Sequence, residues 1–400
     1  MQSVISCYSA ELVFLLAGSD IISMAWEATG VDQRIAARSL ALVGTSVKQQ
    51  ILVWFIIATL LSSVLPNTVV AAVMCSIAMS MLKAVGEGDL KTSKSATLIL
   101  LAIVYGANNG GMLTPLGGAM NLVTVSYIEG FTGVEFIYSD WIVRMLPFTV
   151  LATVVTALFL IGGDCGKKHF DCSREHFREL CRSFPKLDCA GKASMAIFFV
   201  AALLAFTRRL YQAYLPALKP GYIFLIGGLL MFFLKDEHGE AVVTWEKAEK
   251  NLMWGLFFLF SGGTALGALV NGSGAADTLA EIISGINFHS EFTLIIAIVT
   301  LNVILSDVVN NTACAAVTIP IVISIAQGLG LPVIPYLWIA TVSYNLSFTL
   351  PTSIRSIPVG YGLDTKFMFR KGIAITACMV VLVSAMGWLF VRYWPAFAAL

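Results

Sequence analysis

Two apolar stretches, 47–82 and 292–326, constrain this chain more than any other feature. A membrane-crossing helix needs about 20 apolar residues. Each stretch is too long for one crossing and too short for two comfortable ones. Each is also interrupted near its middle by polar residues: Pro66-Asn67-Thr68 in the first, Asn310-Asn311-Thr312 in the second. This pattern predicts a re-entrant hairpin, which enters and leaves the membrane on one side. Such backbone is tolerated at membrane depth only where protein buries it or a wet cavity meets it.

The rest of the chain supports a membrane setting. Of 400 residues, 58% are hydrophobic and 12% charged, against about 25% charged in a soluble domain. Further spans are predicted at 8–28, 96–125, 142–163, 193–213, 219–235, 252–270, 333–363 and 373–395. With both hairpins re-entrant, the loops 29–48, 83–95, 164–192, 235–250 and 364–371 fall on one side and hold nineteen of the 25 Lys and Arg. The opposite loops 126–141 and 271–291 hold acids and no Lys or Arg. The loop 208–219, on that same side, holds Arg208, Arg209 and Lys219. The positive-inside rule makes the first side cytoplasmic. A net charge of +1 implies no nucleic-acid partner. Cys165, Cys172, Cys181 and Cys189 share a polar loop with His169 and His176 but form no C-x-x-C pair, so a reduced cytoplasmic loop is a better reading than a zinc site.

A shift of 244 residues lays SSVLPNTVVAAVMCSIAMSM (62–81) over SDVVNNTACAAVTIPIVISI (306–325). Ser62, Asn67 and Thr68 fall on Ser306, Asn311 and Thr312. The same shift sets LVFLLAG (12–18) on LFFLFSG (256–262) and Gly30 on Gly274. The predicted topology places an odd number of crossings between the copies, so the repeats are expected to be inverted, with a binding site at their interface. After each hairpin comes a second interruption: YGANNGGMLTPLGGAMNLV (105–123) and YNLSFTLPTSIRSIPVGYG (344–362). Both read as helices broken in mid-span. Half-helix N-termini attract anions, and free carbonyls attract cations.

This order of spans, hairpins with Asn-Thr tips and broken helices resembles the divalent anion:sodium symporter family, the sodium-coupled dicarboxylate, tricarboxylate and sulfate transporters. The resemblance runs from about residue 10 to 395. It implies an all-α polytopic membrane protein, with inverted repeats, two re-entrant hairpins and two broken transmembrane helices. It implies a secondary active transporter of small divalent anions, not an enzyme, with sodium as coupling ion and no other cofactor; the alternatives are a sodium-independent exchanger using Arg355 as its fixed charge and a non-transporting, truncated paralogue. Its setting would be the bacterial inner membrane, its partners a small anionic substrate, the lipid bilayer and a second copy in a homodimer. The first repeat would span 1–163, with a hairpin at 47–82 and a broken helix at 96–125. A cytoplasmic linker would follow at 164–192. The second repeat would span 193–400, with a hairpin at 292–326 and a broken helix at 333–363. VDQRIAARSLALVG (31–44) and GAADTLAEIISG (274–285) look like the interfacial segments that precede each hairpin.

Carried over residue by residue, the resemblance implies substrate contacts from Asn67, Thr68, Asn311, Thr312, Gly118, Ile354 and Arg355. One sodium ion would be held by Ser62, Asn67 and the Gly117 carbonyl, another by Ser306, Asn311 and the Ser353 carbonyl. The chain departs from the family in several places. Pro66 stands where the family tip has Ser. The turns Gly117-Gly118-Ala119-Met120-Asn121 and Ser353-Ile354-Arg355-Ser356-Ile357 replace family turns of the G-T-P-P-N and A-T-P-P-N kind. Arg355 needs a partner or a wet cavity at membrane depth. It could clamp substrate, pair with Asp307, or stand in for a sodium ion. Spans that precede the first repeat segment in the family have no counterpart here, so the chain is expected to be shortened at its N-terminus. Asp20 is expected near the outer interface. Asn108 and Asn109 are expected to line the cavity or cap the break. Trp26, Trp141 and Trp394 are expected as interfacial anchors.

Overall fold

The computed structural model describes residues 11–31, 46–170, 187–252 and 290–399, with single positions 34, 179, 254, 255, 258 and 262. The predicted span 252–270 apart from Leu252 and those single positions, both interfacial segments apart from Val31 and Arg34, Gly274, and Cys172, Cys181 and His176 lie outside them. The helices are α1 (Glu11–Thr29), α2 (Val47–Ser62), α3 (Asn67–Ala84), α4 (Lys94–Gly111), α5 (Ala119–Thr132), α6 (Tyr138–Ile161) and α7 (Cys189–Phe206). Then follow α8 (Pro220–Met231), α9 (Trp245–Asn251), α10 (Glu291–Val308), α11 (Asn311–Gly328), α12 (Val333–Tyr344), α13 (Ser356–Gly360) and α14 (Thr365–Tyr393). Among the described residues there is no strand beyond two isolated bridges.

Both long stretches fold as hairpins, α2–α3 and α10–α11, and their tips start the second helix by different means. Pro66 holds φ at −53° and carries no N–H to leave unpaired. Its carbonyl accepts from Val69 and Val70 N–H at 3.1 and 3.2 Å. At the second tip Asn310 Oδ1 accepts from Ala313 N–H at 2.7 Å, a side-chain cap. The second pair of arms has 18 residues each, about 27 Å at 1.5 Å per residue. Length alone would let either arm cross a bilayer. The tips instead end inside the protein, at the breaks.

Both predicted breaks are present. The first separates α4 from α5 and contains a 3-10 turn, Pro115–Gly117. The second separates α12 from α13 and contains a 3-10 turn, Ser353–Arg355. The two halves pack alike: α2 and α3 lie on α4, as α10 and α11 lie on α12. They also cross, since α11 packs on α5 while α3 packs on the second 3-10 turn and α13. Helices α1, α7 and α8 form a separate group. There Gly18 meets the α8 backbone so closely that an added Cβ would overlap Phe224 O, a small-residue contact of the kind that joins helices in lipid.

The outer faces are apolar. On α6, Val143, Leu146, Val150, Val154 and Leu158 are all exposed along one stripe. Among the described residues, five helices are long and apolar enough to cross a membrane: α6, α7, α10, α11 and α14. The chain is a multi-pass integral membrane protein.

Ion pairs group the loops as the charge sorting does. At one end Lys94 pairs with Asp164 at 2.9 Å and Lys167 with Glu87 at 2.6 Å. Ser46 bridges to His169 beside them. At the other end Arg208 grips Glu135 through two bonds of 2.6 and 2.9 Å, and Arg209 pairs with Asp140 at 2.8 Å. Burial alone would raise the Glu87 carboxyl, but the bonds from Lys167 and Ser93 hold it below its usual value. The bond from Lys94 and then the Gly166 N–H do the same for Asp164. A depressed carboxylate contributes above its unfolded pKa and ceases to as pH falls, so both links persist at neutral pH and fail in acid.

Three expectations need correction. Trp26 packs in the interior against Phe198, with ring centroids 4.8 Å apart. Trp141 is wholly buried and donates its indole N–H to Met112 O at 2.9 Å, satisfying a carbonyl freed by the first break. Neither is an interfacial anchor. Asp20 is buried and shares a cavity of about 430 Å³ with Val242, Lys247 and Thr68. That places it beside a loop assigned to the cytoplasmic side, away from the outer interface.

The closest backbone approach in the hairpin core is at Gly110, where an added Cβ would overlap Thr59 O. Ala normally favours a helix over Gly by about 1 kcal/mol. Here Gly110→Ala is expected to lower stability by about 1–3 kcal/mol through overpacking, read as thermal unfolding in detergent. Gly130→Ala, with nothing within 4 Å of the new methyl, should leave it unchanged or raise it.

Candidate anion and cation site

Both tips and both breaks meet on one cavity of about 310 Å³. It is lined by Pro66, Asn67, Thr68, Gly118, Ala119, Met120, Asn310, Asn311, Thr312 and Ser353. Three helices begin here, α3, α5 and α11, and their first residues form the wall. The first N–H groups of a helix have no intrahelical acceptor, and the aligned peptide dipoles add partial positive charge there. No lining residue is acidic. The cavity is therefore suited to a small anion held by backbone N–H groups and by the Asn and Thr side chains. Ser353 adds strain: at φ 52° it is the one non-glycine with positive φ among the described residues.

Of the residues expected to touch substrate, Asn67, Thr68, Asn311, Thr312 and Gly118 line this cavity, while Ile354 and Arg355 do not. Ile354 is 1% exposed, packed in the core. Arg355 is fully buried, and its donors are all engaged within the protein. Nε donates to Leu350 O at 2.7 Å. One terminal nitrogen donates to Ser347 O at 3.0 Å and also to Ser347 Oγ. The other donates to Thr352 Oγ1 at 2.6 Å and faces Asp307 Oδ1 at 3.4 Å. The ion pair with Asp307 is thus the one of its three possible roles that is seen directly. The reason is chemical: five N–H groups buried without water must find oxygens nearby.

Around the first expected cation set the backbone is tightly packed, with the carbonyls of Ser62, Gly111 and Gly117 close to one another. A Cβ on Gly117 would lie 2.7 Å from Ser62 O and would overlap Gly111 O. A Cβ on Gly111 would lie 3.2 Å from Gly117 O and 3.6 Å from the Asn67 side chain. Ser62 Oγ donates to Ala107 O at 2.7 Å, which leaves its lone pairs available. The second set does not gather in the same way. Ser306 Oγ donates to Asn311 Oδ1 at 2.9 Å and to Tyr344 O at 2.5 Å. Asn311 Oδ1 also accepts from Ser347 Oγ at 3.1 Å. The Ser353 carbonyl accepts from Ser356 Oγ at 2.7 Å. Ser306 and Asn311 thus bond each other, while the Ser353 carbonyl bonds Ser356.

A polar lattice behind the cavity ties the halves together. Tyr105 donates to Phe348 O at 2.8 Å, and Tyr344 donates to Met120 O at 3.1 Å. Asn108 Nδ2 donates to Asn345 O at 2.5 Å and Ser347 O at 3.2 Å, while its Oδ1 accepts from Asn311 Nδ2 at 3.1 Å. Asn345 Nδ2 donates to Asn121 Oδ1 at 3.1 Å, and Asn121 Nδ2 donates to Gly111 O at 2.6 Å and Thr114 O at 2.9 Å. Asn109 faces away and donates to Thr156 Oγ1 at 3.1 Å. Sequence reasoning gave Tyr105, Tyr344, Asn345 and Ser347 no role. A signal existed: both broken segments open on a Tyr, and aligning them on it pairs Tyr105 with Tyr344.

Two helical hairpins and two broken helices closing on one anion-suited cavity within a multi-pass membrane protein define a membrane transporter. The chain belongs to the citrate transporter (CitMHS) family, whose profile matches residues 1–343 and 216–397. It is 25% identical over 401 residues to a sodium-dependent dicarboxylate transporter, SdcS, of Staphylococcus saprophyticus, covering 96% of this chain and 77% of that one. It is 26% identical to the SdcS of Staphylococcus aureus, with the same coverage. An uncharacterized transporter of Haemophilus influenzae is 27% identical over 94% of this chain and 80% of its own length. In fold the chain is similar to the Alcanivorax borkumensis YdaH transporter, with a TM-score of 0.62, 14% identity, and coverage of 98% and 88%. Helix content and bacterial relatives place it in the plasma membrane.

Asn108→Ala would strip the Asn345 and Ser347 carbonyls and the Asn311 amide of a buried partner. An unsatisfied buried polar group costs about 1–3 kcal/mol. The variant should unfold at a lower temperature than wild type, with Asn109→Ala less affected because its amide makes one side-chain hydrogen bond, to Thr156.

Proposed function

We propose that this protein is a secondary active transporter of small divalent anions, a dicarboxylate above all, coupled to sodium. The observation that carries the reading is the convergence of three helix N-termini on a cavity with no acidic lining residue. The two carboxylates of a four-carbon diacid would be held by the tips, Asn67 and Thr68 against one and Asn311 and Thr312 against the other, with the Gly118 backbone between. Sodium would sit on the Ser62, Asn67 and Gly117 oxygens. The names of the relatives favour this substrate class and this ion.

The motion we propose is alternating access of the elevator type. The hairpins and broken helices, with α6 and α14, would travel as one body against α1, α7 and α8, which pack mainly on one another and touch the rest only lightly, at α5 and α6. The 244-residue repeat supports an inverted relation between 1–163 and 193–400, with 164–192 as linker. The stationary group would also carry a homodimer contact. The chemistry is binding and movement, with no covalent step and so no enzyme.

Labelled succinate uptake into proteoliposomes tests the reading. An inward sodium gradient should raise the initial rate several-fold over potassium, and Thr68→Val or Thr312→Val should reduce it at least tenfold. A protein that takes up no divalent anion with either ion would overturn it.

A further inference from the structure

We propose that the Arg355 guanidinium is a tethered substitute for a second coupling cation, so that each chain binds a single sodium ion, in its first half. This rests on the transporter reading above and sharpens it.

The two 3-10 turns make the comparison. Each lies in a break, faces a hairpin tip, and leads into the next helix. The first is Pro115–Gly117 and the second Ser353–Arg355. They end on Gly117 and Arg355. At Gly117 the backbone is packed among the oxygens of Ser62 and Gly111, with no room for a side chain. That oxygen cluster contains no protein cation among the described residues. The residue that matches Gly117 is Ser353, and two residues beyond it the second half carries a permanent positive charge, Arg355, where the first half has Ala119.

The surroundings of that charge resemble the shell of a bound cation. Five N–H groups meet the oxygens of Leu350, Ser347 (carbonyl and hydroxyl), Thr352 and Asp307. Asp307 is held in place by the N–H and hydroxyl of Thr349, at 3.1 and 2.6 Å. A buried carboxylate needs a positive partner, and here the protein supplies it covalently. Ser347 then links the guanidinium to Asn311 Oδ1, the tip residue expected to ligate the second ion. A mobile cation arriving at Ser306 and Asn311 would have to break their mutual bonds and would lie next to a fixed like charge. Neither obstacle exists at Ser62, Asn67 and Gly117.

The test is a count of sodium ions on the purified protein, by equilibrium binding of radioactive sodium, with uptake measured on the same preparation. One ion per chain with a hyperbolic isotherm is expected. Two ions, or none, would overturn the proposal. Arg355→Gly removes the fixed charge, and the Asp307 carboxylate then keeps only its bonds from Thr349. It should raise the count from one to two and make the sodium dependence sigmoidal. Arg355→Lys, which keeps the charge, should stay at one. If Arg355→Gly does not fold, the wild-type count and the Lys variant still decide. If vesicles take up no divalent anion, the transport reading fails while the ion count still judges this one.

Discussion

The structure depends on satisfying the backbone where two helices are broken in a region without water. Each break frees N–H and C=O groups that lipid cannot pair. The chain answers by crossing the breaks over. Tyr105, on the helix before the first break, bonds a carbonyl of the second. Tyr344, before the second break, bonds a carbonyl of the first. Asn108, Asn121 and Asn345 fill the space between. Each broken helix is thus completed by the other, and neither half can form its site alone.

That arrangement explains why the cavity is polar yet nearly free of charged groups. The lattice consumes the carbonyl ends, while three helix starts remain to face the cavity. Attraction for an anion then comes from oriented peptide dipoles rather than from Lys or Arg side chains. A site of this kind can bind and release a dianion without shedding a tight bidentate ion pair. Arg355, the one arginine in the region, is kept behind the wall by its own donors and by Asp307.

The near-symmetry of the halves makes their differences informative. Pro66 starts α3 by its fixed φ, whereas Asn310 starts α11 by a side-chain cap. The hydroxyl missing at position 66 is therefore not needed to begin the helix. Its loss removes a polar group from the cavity rim and leaves Asn67 and Thr68 as the polar side chains of that tip. The second difference concerns charge: two residues past Ser353 the second break carries Arg355, where the first break has Ala119.

The sequence by itself determined the hairpins, the breaks and their repetition. Apolar run length and a polar interruption are local quantities, and a re-entrant arm or a broken span leaves both in the chain's order. It also determined the sorting of loops, since charge is constrained by which side of a bilayer each loop meets. Only the tertiary structure decided which polar residues face the cavity and which face the protein. Asn67 and Asn109 are equally polar in the sequence, yet one lines the site and the other bonds Thr156. Arg355 matched a family turn by position, but its direction was set by Asp307 and Ser347, forty-eight and eight residues away in the chain. Direction within a broken helix follows from the partners that fold around it, and those partners can lie far away in the chain.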